Sequence, residues 1–174
     1  DIKLFIDTNL SYFTKLIKIQ SVEKIIIKDY FDEENYIYSN YKNKEELDIS
    51  WCKFENLDFL ELDIFHDLKS INAECNKIRN INGLNYLQYL KKLNLGVNCI
   101  TDIDILNNEN FIDLEELDIR GNEINNLDVL SNLQNLHNLN LAYMNINDSK
   151  KLETLNLKNL NKINLLNCKF IDIN

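Results

Sequence analysis

Apolar and polar residues recur along this chain with a long period, not with the short beat of one helix or one strand. From residue 44 six units fit the template L-x-x-L-x-L-x-x-N-x-I-x-x-I-x-x-L. Positions four to six of the units read Leu47-Asp48-Ile49, Ile71-Asn72-Ala73, Leu93-Asn94-Leu95, Leu117-Asp118-Ile119, Leu139-Asn140-Leu141 and Ile163-Asn164-Leu165. Across positions four, six, eleven and fourteen only Ser149 is not apolar, while position five is Asn or Asp every time. Successive fourth positions lie 24, 22, 24, 22 and 24 residues apart.

Positions four and six point the same way on a short strand because side chains alternate with period two. They face a core, and positions three, five, seven and eight line the concave side of a parallel sheet. The later apolar positions pack behind the strand before the chain returns. One such unit cannot bury its own apolar face, so stability comes from stacking. Units this short leave room behind the strand for single turns or 3₁₀ pieces. Position nine holds Cys52, Asn76, Asn98, Asn122, Met144 and Cys168 in turn. Asn there satisfies backbone groups of the turn, and Cys stands in as a small residue with a weak S–H donor. Met144 cannot do either, so the fifth unit is expected to differ locally.

The motifs Leu90-x-x-Leu93-x-Leu95-x-x-Asn98-x-Ile100-x-x-Ile103 and Leu114-x-x-Leu117-x-Ile119-x-x-Asn122-x-Ile124-x-x-Leu127 resemble leucine-rich repeats. The short period is similar to the class found in the leucine-rich regulatory subunit of protein phosphatase 1 and in bacterial internalins. The resemblance covers about residues 44–174. It implies an α/β solenoid, a curved right-handed coil whose concave parallel sheet binds protein, with no shared enzymatic activity.

Two segments frame the repeats. Residues 1–21 carry Ile2, Phe5, Ile6, Leu10, Phe13, Leu16 and Ile17 at near-helical spacing, which predicts an amphipathic N-terminal cap. Within 22–43, Val22, Ile25, Ile27 and Tyr30 fit a degenerate seventh unit until Asp32 breaks it. Residues 1–43 are thus read as cap plus degenerate repeat, and 44–174 as six repeats. The sixth stops partway, after Ile173, which predicts truncation or a partner covering the end.

Charge and cysteine content narrow the partner. The chain has 28 Asp and Glu against 19 Lys and Arg, a formal net charge of -9. Such a surface is repelled by nucleic acid and anionic lipid, and a basic protein surface is steered toward it. No run reaches the length of a membrane-spanning helix. Cys52, Cys75, Cys99 and Cys168 form no metal-type pair and read as reduced thiols of a cytoplasmic protein. Cys75 and Cys99 flank position nine in adjacent units, so a disulfide between them is the rival reading.

Candidate chemistry is sparse. His66 and His137 occupy unrelated positions, with no nucleophile placed beside them, and read as surface residues. Gly83, Gly96 and Gly121 are too scattered for a phosphate loop, and calcium-loop spacing is absent. No enzyme, metal or cofactor is expected. Asn9 and Asn147 head chance sequons.

The concave positions carry the signal. Trp51, Val97 and Tyr143 share position eight, with Glu74 and Arg120 at position seven and Asp118 and Asn140 at position five. This margin is the expected contact strip of a monomeric protein-binding scaffold, because Trp, Tyr and Arg dominate binding hot spots. A structural role remains open for Trp51, which could pack on the N-terminal segment. Alternatives for the whole are the recognition domain of a larger enzyme or effector, and a phosphatase regulatory subunit.

Overall fold

The structure, a computed structural model, describes residues 3–7, 24–28, 36–39, 45–61, 63–146 and 149–170. The repeats form one six-stranded sheet of three-residue strands: β4 (Glu46–Asp48), β5 (Ser70–Asn72), β6 (Lys92–Asn94), β7 (Glu116–Asp118), β8 (Asn138–Asn140) and β10 (Lys162–Asn164). They stack in the order of the repeats, every pair parallel and in register, so Leu47, Ile71, Leu93, Leu117, Leu139 and Ile163 form one row. Each strand is the inner face of one coil.

Burial follows the repeat. Positions four, six and eleven are buried in coils one to five, as are Leu68, Leu90, Leu114 and Leu136 at position one. In the sixth coil Ile163 and Phe170 are exposed, because no further described coil stacks on them. Behind the strands run short 3₁₀ pieces, Asp58–Glu61, Asp63–Phe65, Asn82–Tyr86, Asp104–Asn107, Glu109–Phe111 and Asp128–Asn132. That is the expectation of single turns. The exception is α1 (Ser149–Thr154), in the coil that carries Met144.

Position nine is the hydrogen-bonding spine. The Asn98 amide donates to the carbonyls of Ala73 and Leu95, each at 3.0 Å, and its Oδ1 accepts from Ile78 N–H at 3.0 Å. Asn122 repeats this one coil on, donating to Leu95 and Ile119 and accepting from Ile100. Asn76 accepts from both Cys52 and Phe54 N–H. One buried side chain thus satisfies backbone groups of two coils, each of which would cost about 1–3 kcal/mol if left unpaired. The cysteines do a weaker version of the same work. Cys168 Sγ donates to the Leu141 carbonyl at 3.0 Å, and Cys52 Sγ to that of Ser50 at 3.2 Å. Met144 is buried and its thioether side chain has no N–H or S–H to offer. Just beyond it β9 (Asn145–Ile146) pairs with β11 (Lys169–Phe170), a two-stranded ladder that the earlier coils lack.

The expected N-terminal helix is corrected at its start. Residues Lys3–Asp7 form a strand, β1, parallel to β2 (Lys24–Lys28), which in turn pairs antiparallel with β3 (Tyr36–Ser39). The apolar run Leu4-Phe5-Ile6 fits a buried strand as well as a helical face, and its parallel partner decides between them. The remainder of the proposed cap, residues 8–21, lies outside the described residues.

Candidate functional site

The open face of the sheet is a groove of about 430 Å³ running across β5 to β10. Its floor is the row of position-five side chains. In all six coils the Oδ1 of that Asn or Asp accepts the backbone N–H two residues on, from Ser50 on Asp48 at 2.9 Å to Leu166 on Asn164 at 3.0 Å. Such an Asx turn closes each strand after three residues and explains why position five is never apolar. Apart from the exposed Asp48, these side chains are half-buried and not fully wet.

After the Asx turn the backbone enters the left-handed region at position eight of every coil. The φ angles are 62° at Trp51, 56° at Cys75, 55° at Val97, 61° at Gly121, 61° at Tyr143 and 56° at Asn167. Only Gly, and to a lesser degree Asn, adopts this conformation freely, and a β-branched residue such as Val resists it most. It is held by the inter-coil ladder: the N–H of Trp51, Cys75, Val97, Gly121 and Tyr143 each donates to the position-seven carbonyl of the next coil at 2.7–2.9 Å. The result is a margin on which Trp51, Val97 and Tyr143 stand 70%, 46% and 58% exposed. Trp51, the only tryptophan, is the most exposed of the three, and most of the N-terminal segment on which it was expected to pack in the alternative reading lies outside the described residues.

The other expected contact residues form a separate, internally bonded group. Arg120 binds Asp118 through Nη1 and Glu74 through Nη2. Asn140 donates to Asp118 Oδ2 at 2.8 Å, and Asn94 donates to Asn72 Oδ1 at 3.0 Å and Glu74 Oε2 at 3.2 Å. Burial opposes charge on the guanidinium, but the Asp118 and Glu74 carboxylates outweigh it and hold Arg120 above the ordinary arginine value. These groups satisfy one another and build a rigid polar floor. Glu116 is likewise paired with Lys92 at 2.8 Å.

The sequence thus brought seven residues to one face but did not separate margin from floor. The left-handed turn was missed. Its only visible signals were Gly121 and Asn167, which tolerate that conformation, and four other residue types masked them.

Catalytic chemistry finds no constellation among the described residues, nor does any group of three His, Cys, Asp or Glu there suit a metal ion. The four cysteines are free thiols, so Cys75 and Cys99 are not bridged. Both histidines are half-buried at the surface, with the His66 side chain 36% exposed. His66 stacks on Tyr86 with ring centroids 6.0 Å apart, and His137 Nδ1 is buried without a hydrogen-bond partner. No described helix is long and apolar enough to cross a membrane.

No protein-family model matches this chain, and no curated protein matches it. Among solved structures it is similar to an internalin C2 of Listeria monocytogenes strain 4b F2365, with 25% identity and a TM-score of 0.64 over 83% of this chain and 69% of that one. It is also similar to internalin inlF of the same strain, with 24% identity and a TM-score of 0.58 over 74% of this chain. It spans 43% of the length of that second protein.

Proposed function

We propose that this leucine-rich-repeat solenoid is a non-catalytic scaffold that binds a partner protein along the margin of its concave sheet, with Trp51, Val97 and Tyr143 as the contact residues. One observation carries the reading: three large apolar side chains stand exposed in register, on backbone that such residues resist. Strained backbone persists where the surroundings over-determine it and clusters at functional sites. The Glu74, Asp118, Arg120 and Asn140 group serves as the floor that keeps the margin rigid, not as a set of free anchors. A rigid, preorganised surface loses less ordering entropy on binding.

The net charge of -9 supports a partner with a basic surface, through long-range steering. The free thiols support a reducing compartment, and a cytoplasmic protein is the reading they favour. The test is calorimetry of Trp51→Ala and Tyr143→Ala against the partner recovered by affinity capture. Each substitution is expected to weaken binding by tenfold or more, as truncating an anchor does. Unchanged affinity in a folded protein overturns the assignment.

A further inference from the structure

The margin has a spacing and a polarity, and together they describe what fits it. Bulky residues stand on coils one, three and five as Trp51, Val97 and Tyr143, and small ones on coils two, four and six as Cys75, Gly121 and Asn167. Coils stack about 4.8 Å apart, so teeth and notches each repeat about every 9.6 Å. At the Gly121 notch the atoms nearest to where a Cβ would sit belong to Val97, its Cγ2 at 3.6 Å and its backbone Cα and N at 3.7 and 3.8 Å, all ordinary contact distances. Seven residues of an α-helix rise about 10.5 Å and return to nearly the same face. Three residues of a polyproline II segment also match, at about 9.3 Å. An extended strand does not, because its third residue points to the opposite face.

Polarity separates the two that fit. The charges in the middle of the concave face are consumed by the Arg120 and Lys92 pairs. Among the described residues, Glu46 and Asp48 on the first coil and Lys162 on the sixth make no close ion pair there; Glu46 still attracts Lys92 at longer range, and Asp48 accepts two hydrogen bonds from Ser50. Residues 155–170 carry Lys158, Lys162 and Lys169 and no carboxylate. An α-helix has a positive N-terminus and a negative C-terminus. A polyproline segment has no internal hydrogen bonds and no such charged ends.

We infer that the margin receives an α-helix of the partner, laid across the coils with its N-terminus over Glu46 and Asp48 and its C-terminus over Lys162. Apolar side chains seven residues apart sit over Cys75 and Gly121, between Trp51, Val97 and Tyr143. The span from Trp51 to Asn167 is five steps, about 24 Å, which about sixteen helical residues cover. This rests on the margin being the contact surface, and it goes further by specifying the shape and direction of the occupant.

Three synthetic peptides of about eighteen residues test it against the whole chain: a lactam-bridged helix with leucine every seven residues, a bridged helix of equal composition with leucine every five, and a proline-rich peptide with leucine every three. Trp51, as sole tryptophan, reports occupancy through its emission. The seven-residue helix should bind at least tenfold more tightly than the other two and shift Trp51 emission to the blue. Cys75→Leu, which fills a notch without changing the backbone demand there, should abolish that preference. A version with lysines in its first turn and glutamates in its last should bind more tightly than the reverse. Absent or equal binding of the helices, preference for the proline-rich peptide, or indifference to Cys75→Leu overturns the helix. If Trp51→Ala and Tyr143→Ala still weaken the natural partner, only the helix falls; if they do not, the margin reading falls with it.

Discussion

Arg120 reaches Glu74, 46 residues earlier and two coils away, by lying across Gly96 of the coil between them. A Cβ on Gly96 would sit 3.2 Å from Arg120 Cγ and equally close to Asn94 Oδ1 and Asp118 Oδ1. The missing side chain is what lets one guanidinium tie three coils together. Arg120→Leu leaves two carboxylates, Glu74 and Asp118, about three-quarters buried and without their cation. Removing one partner of such a group is costlier than never having had the pair, and a loss of about 2 kcal/mol is expected. Chemical denaturation checks it, and the cost should shrink in a Glu74→Gln background. Full additivity of the two substitutions would show that the residues are not coupled.

Cys75 shares this network. Its thiol is pushed above the ordinary cysteine value by burial and then by the Glu74 carboxylate, against the opposing pull of Arg120. A raised pKa means less thiolate at a given pH, so alkylation of Cys75 should lag behind that of the exposed Cys99. The lag should close as pH rises past the ordinary thiol range of about 8.5. Glu74→Gln should speed Cys75 and leave Cys99 unchanged. Mass-spectrometric quantification of label at each cysteine reads both, and equal rates at neutral pH would contradict the assignment.

Val97 is the β-branched residue of the left-handed row. Replacing it with Asn, which tolerates that conformation, should stabilise the fold by about 1 kcal/mol. The same substitution removes an apolar tooth and should weaken partner binding. A rise in the denaturation midpoint with a fall in affinity is the expected pair of results. A fall in both would mean that Val97 packs better than its exposure implies.

Gly83 is needed for a different reason. A Cβ there would lie 1.8 Å from the Leu57 carbonyl oxygen, so the 3₁₀ segment of the second coil rests directly on backbone of the first. Gly83→Ala must push two coils apart, and a loss of about 3 kcal/mol is expected by thermal or chemical denaturation. Wild-type stability in that variant would show that the contact is loose.

The repeat made the solenoid legible, because the same inward requirement recurs in every coil and errors average out. Leu47, Leu93 and Leu117 had to face the core, and they do. The donor role of Cys52 and Cys168 was equally readable, since a small side chain with a hydrogen to give can stand in for Asn at that turn. Less accessible was anything that depends on a partner strand. Leu4-Phe5-Ile6 cannot be told from a helix without β2 beside it. The left-handed turn at position eight was hidden because the ladder enforces it on Trp, Cys, Val and Tyr, whose local preferences oppose it. Arg120 looked like a free anchor because nothing in the linear chain brings it to Glu74.

The central claim is that the position-eight margin, and not the back of the solenoid, meets the partner. The back offers a fair rival, since Tyr89 and Ile112 are also large, apolar and exposed. A photo-crosslinking residue placed at position 97 or 143, and separately at 89 or 112, tests the choice in extract of the source cell. Crosslinks to one partner from 97 and 143, and none from 89 and 112, are predicted. Capture of that partner from 89 and 112 alone would contradict the account.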